Sequence, residues 1–283
     1  MMDYSETRYT LTPRELIWPV LTLAVIFAVY VPIIDYMVQD WMHDENNSHG
    51  FIVPLVSAYM MWKRRDIILS QRAEPSLWGL LVILAGGVLL ILGWLANEYF
   101  TQRFSLIVIL SGCVVYWYGW KVMAILAGPM AYLILMIPIP AIIYDAAAFP
   151  LKLFVTKVSV AFMKAVGIMV VREGNVMQFP NITLEVVNAC SGLRSLTSLL
   201  AVGLAYVMLF VKTRWHKLAL TAMIFPIALV ANMVRVIGTG VLAQYFGAAA
   251  AEGFFHEFAG LVIFLASLGM LSVAHGILAR CSR

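Results

Sequence analysis

The sequence predicts an all-α polytopic membrane protein with about eight transmembrane helices, one further helix lying in the interface on the outer face, and a small β-hairpin. Three observations carry this reading. Of the 283 residues, 63% are hydrophobic and 12% are charged, half the charge of an ordinary soluble domain, so lipid replaces water over much of the surface. The apolar runs reach the roughly 20 residues that a membrane helix needs. Lys and Arg gather in short loops between those runs, the placement that marks a cytoplasmic side.

The spans fall at about 16–35, 50–63, 77–96, 104–119, 122–143, 191–211, 216–243 and 255–279. Leu16–Ile34 lacks a small-residue cleavage site and reads as a first membrane helix, not a signal peptide. The second run is short where it meets Lys63-Arg64-Arg65, and its start can be as early as Asn47. Lys63, Arg64, Arg65 and Arg72 put one loop inside, as do Lys121 and the group Lys212, Arg214 and Lys217. Gln39–Ser48 carries Asp40, Asp44 and Glu45 without a basic residue and belongs outside. These marks agree with an even number of spans and both termini in the cytoplasm. Phe149–Val170 would break that parity. It carries Lys152, Lys157 and Lys164, each costing about 2.5–3.5 kcal/mol at mid-bilayer. It is therefore expected to lie flat as an interfacial helix. In Gly174–Val187, apolar and polar residues alternate around Pro180-Asn181, which predicts a hairpin held outside or packed on protein. No internal repeat appears, and residues 1–283 read as a single integral membrane domain.

The basic residues are scattered and form no stripe with interleaved aromatics, so nucleic acid is not an expected partner. The three cysteines form no CxxC and no Cys/His cluster, and no metal site is expected. Cys113 lies inside an apolar run and Cys281 in the C-terminal tail, whereas Cys190 is surrounded by polar and basic residues at the start of a span. Arg235 lies 18 residues beyond Lys217, about 27 Å of helical rise, and so near the opposite boundary. His256 begins the last span from that same side. The three residues share a depth; whether they touch laterally is open.

A helix N-terminus and a nearby cation favour a thiolate at Cys190, and Arg194 is one turn on. His256 has the chemistry of a general acid and base, and Arg235 that of a carbonyl or oxyanion partner, with Asn232 one turn before it. Each also has a plainer reading: Arg235 snorkelling to phosphates, His256 as an interfacial anchor, Cys190 as a small filler. His49 either lines the site or caps a helix.

Ser48-His49-Gly50-Phe51-Ile52-Val53-Pro54-Leu55 with Trp62-Lys63-Arg64-Arg65 resembles the first block of the exosortase family. So do Glu173-Gly174-Asn175-Val176, Leu184-Glu185-Val186-Val187, Ala189-Cys190-Ser191-Gly192-Leu193-Arg194-Ser195, Ala231-Asn232-Met233-Val234-Arg235 and Gly253-Phe254-Phe255-His256-Glu257-Phe258-Ala259-Gly260, in that order. The resemblance covers most of the chain. It implies a cysteine peptidase or transpeptidase with a Cys190, Arg235 and His256 site, in the inner membrane of a Gram-negative bacterium and facing the periplasm. It implies membrane-anchored substrates bearing a C-terminal PEP-CTERM sorting signal, often linked to exopolysaccharide production. Ser191, Arg194, Arg172, Asn232 and His49 are supporting or substrate-binding candidates, and no metal or organic cofactor is required. Asn188 stands where an acidic residue is expected, and Leu261 where an aromatic is. The rival readings are a glycan- or lipid-transferring enzyme of polysaccharide assembly, which needs no thiol, and a transporter or non-catalytic assembly factor, which would favour intramembrane charges over charges at the rim.

Overall fold

The computed structural model describes residues 13–180, 182–185, 193–247 and 254–281. The protein is a multi-pass, almost entirely helical membrane protein with one small sheet. Two compact units divide it, Met1–Pro140 and Ala141–Arg283.

The first unit holds α1 (Pro13–His43), a 3-10 turn (Glu45–Phe51), α2 (Ile52–Lys63), the short α3 (Arg65–Leu69), α4 (Trp78–Leu95), α5 (Tyr99–Tyr118) and α6 (Trp120–Tyr132). Three glycines of α4, seven residues apart, set how closely α4 and α5 approach. A Cβ on Gly79 would overlap the Tyr116 backbone, one on Gly86 would lie 2.5 Å from Ile109 Cγ1, and one on Gly93 would lie 2.9 Å from the Gln102 backbone nitrogen. Small residues at such a seam suit a membrane, where lipid tails are as apolar as leucine and close packing supplies the association energy. Glu98 starts α5, its carboxylate accepting from the N–H groups of Phe100 and Thr101 at 2.9 and 2.6 Å. The Tyr30 and Ser105 hydroxyls share a buried hydrogen bond of 2.6 Å, and Arg103 pairs with Asp40. After α6 a short 3-10 turn (Leu133–Met136) ends the helix, earlier than the residue 143 expected, because Pro138 and Pro140 cannot continue it.

The second unit begins with α7 (Ala141–Ala165). It starts eight residues before the helix expected from the lysine pattern and is long and apolar enough to cross a membrane. Its buried face is Ala148, Val155, Thr156, Ser159, Val160 and Met163, while Lys157 and Lys164 lie on the exposed face. The sheet that follows has three strands, β1 (Val171–Glu173), β2 (Val176–Gln178) and β3 (Thr183–Glu185), antiparallel in chain order. The expected hairpin around Pro180-Asn181 is β2–β3; a second, β1–β2, turns at Gly174-Asn175, with Gly174 at φ +61. Three helices complete the unit: α8 (Leu193–Phe210), α9 (Arg214–Phe246) and α10 (Phe254–Cys281).

Among the described residues, six helices are long and apolar enough to span: α1, α4, α5, α7, α9 and α10. α6 with its 3-10 extension and α8 are shorter apolar helices. α2 has 12 residues and gains length only from the 3-10 turn before it, as the early start near Asn47 anticipated.

Candidate active site

The sheet is seated on α7 and α9. Met177, Phe179 and Val170 form one buried cluster with Val155, Val160 and Met163 of α7 and Val236 of α9, and Leu184 packs against it. The contact is close at Gly240, where a Cβ would lie 3.0 Å from the Phe179 ring and 3.3 Å from the Met163 sulfur. The sheet thus marks one end of the unit.

α8, α9 and α10 pack on one another through Leu199, Val207, Leu220, Ile224, Ala228 and Leu271. One layer of this packing fixes their register. A Cβ on Gly203 of α8 would lie 3.0 Å from Ile224 of α9 and 3.4 Å from Leu271 of α10. From that layer, 11 residues toward the sheet end is about 16 Å and close to three full turns, so the same face returns. On α9 the step reaches Arg235, on α10 it reaches Gly260, and on α8 it runs just past the first residue, Leu193. A direct contact bears out the register: a Cβ on Gly260 would lie 3.4 Å from Arg235 Nη2 and 3.5 Å from Cζ.

Arg235 is 6% exposed and Asn232, one turn before it, is 2% exposed. An ionised guanidinium among apolar helices is costly, and such groups mark function or a specific pairing. Gly260 leaves room for it. Among the described residues, the three heavy atoms nearest a Cβ at this position are all guanidinium atoms of Arg235.

The other candidates divide into five cases. His256 is the third residue of α10 and lies four residues before Gly260, about 6 Å of rise from the contact with Arg235. Arg194 is in the first turn of α8. Cys190, Ser191 and Asn188 lie outside the described residues, between Glu185, the last residue of β3, and Leu193, the first of α8. Arg172 is exposed on β1, donating to the Gly174 carbonyl at 3.3 Å, and β2 separates it from β3 by two strand spacings, about 9.5 Å. His49 belongs to the first unit, where its Nε2 and the Leu135 carbonyl are 3.1 Å apart, a bond that ties the Glu45–Phe51 turn to the 3-10 turn that follows α6.

Gly260 is the residue to which reading the sequence assigned no part. Its spacing of four from His256 is visible in the chain, but only packing shows that Arg235 occupies the space its missing side chain leaves.

Comparison with known proteins gives one match. The family model described as transmembrane exosortase (Exosortase_EpsH) matches residues 41–273, a range that includes Cys190, Arg235 and His256. No curated protein and no solved structure matches the chain.

Proposed function

The chain belongs to the transmembrane exosortase family, and from that premise we propose that it is a cysteine peptidase or transpeptidase acting on membrane-anchored proteins. The observation that carries the reading is Arg235, buried against Gly260 one turn from His256, at the level where α8 begins. Chain connectivity supports a nucleophile there. Cys190 is three residues before Leu193, so their Cα atoms are at most about 11 Å apart.

In this mechanism the Cys190 thiolate attacks the carbonyl carbon of the scissile peptide. The carbonyl oxygen becomes an oxyanion, and the Arg235 guanidinium donates to it from a direction held by helix packing. Asn232 helps hold Arg235. The C–N bond then breaks, and His256 in its protonated form gives its proton to the departing amine. The thioester that remains is attacked by water or by an amine or hydroxyl of an acceptor, with His256 taking the attacker's proton. The thiolate leaves, and hydrolysis or transfer is complete.

The substrates under this reading carry a C-terminal PEP-CTERM signal, and the work is connected with exopolysaccharide production. The site faces the periplasm from the inner membrane and both termini are cytoplasmic, as the basic loops indicate. α7 lies along the outer interface, its Lys157 and Lys164 directed to headgroups. Arg194 is better placed than Arg172 to pair with the signal's acidic residue, since Arg172 sits on the far strand of the sheet.

Mass spectrometry of a co-expressed PEP-CTERM substrate, with wild-type enzyme and with Cys190→Ala, tests the reading. The wild type is expected to give a cleaved or transferred product and Cys190→Ala the intact precursor. Full processing by Cys190→Ala at matched protein level would overturn the covalent mechanism and favour a thiol-independent glycan or lipid transferase.

A further inference from the structure

β3 is bonded on one side. β2 lies between it and β1, and among the described residues nothing pairs with its far edge. The phase of the ladder is set at the turn, where the Phe179 N–H donates to the Ile182 carbonyl at 2.8 Å. Hydrogen-bonded and non-hydrogen-bonded residue pairs alternate along an antiparallel ladder. Phe179 and Ile182 are bonded, so Gln178 and Thr183 are not, Met177 and Leu184 are, and Val176 and Glu185 are not. Leu184 therefore directs its N–H and C=O to β2. Thr183 and Glu185 direct theirs to the open edge.

An open edge is a template for a further extended chain, and it cannot be left against lipid. This one lies close to the level of Arg235. Leu184 packs into the cluster that includes Val236, the neighbour of Arg235, and Glu185 is five residues before Cys190. Thr183 and Glu185 are both exposed. We infer that the β3 edge is a docking strand: the extended segment of the substrate beside its scissile bond adds to the sheet as a fourth strand, bonded to the backbone of Thr183 and Glu185. The inference rests on the peptidase reading above and deepens it. It assigns binding to backbone groups, which accept many side chains, and leaves selectivity to the flanking Arg194 and to Glu185, which disfavours an acidic residue directly opposite it.

Disulfide trapping tests the docking without requiring turnover. The enzyme carries Cys190→Ala, Cys113→Ala and Cys281→Ala with either Thr183→Cys or Glu185→Cys. The substrate carries single cysteines scanned through the segment flanking its cleavage point. Neighbouring strands bring paired Cβ atoms to about 4.5–5.5 Å, close enough to cross-link. Links are expected at every second substrate position, with the maxima for the two enzyme sites displaced by two residues. No link, or links at consecutive positions without alternation, would overturn the docking strand.

A second arm reads activity. Thr183→Pro and Glu185→Pro remove an outward N–H while leaving the Leu184 bonds to β2 intact, and each is expected to slow processing about tenfold or more. Thr183→Ala and Glu185→Ala keep the N–H and are expected to lose clearly less. Proline variants that accumulate and process no worse than the alanine variants would also overturn it. If the proline variants fail to accumulate, the cross-link pattern decides alone. Processing by Cys190→Ala is scored separately, because it bears on the peptidase chemistry and not on where the peptide docks.

Discussion

Gly260 offers a graded test of whether Arg235 acts at a fixed position. A Cβ at residue 260 would lie 3.4 Å from Nη2, 3.5 Å from Cζ and 3.9 Å from Nη1 of Arg235. Optimal separation between non-bonded heavy atoms is about 3.5–4.0 Å, so alanine just touches the guanidinium. Valine places two methyls about 1.5 Å farther out. Its stiff χ1 leaves little freedom to turn both away. One methyl then comes within about 2–2.5 Å, and the guanidinium must retreat by about 1 Å or more. A misplacement of that size in a catalytic group costs on the order of 100-fold. Gly260→Val is therefore expected to slow processing about 100-fold. Gly260→Ala should stay within about threefold and gain about 0.5–1 kcal/mol of stability, the usual benefit of removing glycine from a helix interior. The assay is the rate of substrate processing in cells lacking the native enzyme, at matched protein level, with melting of the purified protein beside it. A double-mutant comparison sharpens it. Once Arg235→Lys has removed the planar fork of donors, adding Gly260→Val should cost little more. Wild-type processing by Gly260→Val, or the same valine cost with and without Arg235→Lys, would refute the reasoning.

Arg235→Lys alone is expected to slow processing about 10²–10³-fold, the usual effect of losing an oxyanion donor, as read by immunoblot of substrate size. His256→Ala should fail comparably, whereas Cys113→Ala, at a buried position of α5, and Cys281→Ala should process near normally in the same assay. For sidedness, cysteines at Asp44 and Asn175 should be labelled by an impermeant thiol reagent from the periplasm and those at Gln71 and Thr213 should not. Labelling of Asn175 only from the cytoplasm would invert the second unit. Reversing charge at Arg194 to Glu should be rescued by a substrate whose signal acid is changed to Arg, and reversal at Arg172 should not show that rescue. Burial raises the Glu98 pKa, but hydrogen bonds from Thr101 and Phe100 outweigh it and hold the carboxyl below the usual range. The stabilisation from this cap is thus present above the unfolded carboxylate pKa and lost as pH falls through the folded value. Glu98→Ala should lower the melting temperature at pH 7 and change it little in strong acid.

The level of Arg235 along its helix was legible in the chain. Counting residues from Lys217 to Arg235 placed the guanidinium at the level of His256, and the register through Gly203, Ile224 and Leu271 puts Arg235 and the first turns of α8 and α10 at one end of the unit. The β2–β3 hairpin was legible from alternation around Pro180-Asn181. β1 was not, because three exposed residues carry no burial pattern and its only mark is the Gly174-Asn175 turn. The start of α7 was misplaced because the lysines drew its boundary, while Ala141–Ala148 is uncharged apart from Asp145 and continues the helix back to the prolines.

Helical rise is fixed by local hydrogen bonds at 1.5 Å per residue whatever the neighbours are, so the sequence alone determined the apolar segments and the positions of Arg235 and His256 along them. Rotation and choice of neighbour are different in kind. Lipid and leucine are equally apolar, so hydropathy does not say which face of a membrane helix meets protein; close fit between particular side chains does. Only the tertiary structure decided that Gly79, Gly86 and Gly93 seat α4 on α5, that Phe179 fills the space at Gly240, and that Arg235 lies against Gly260.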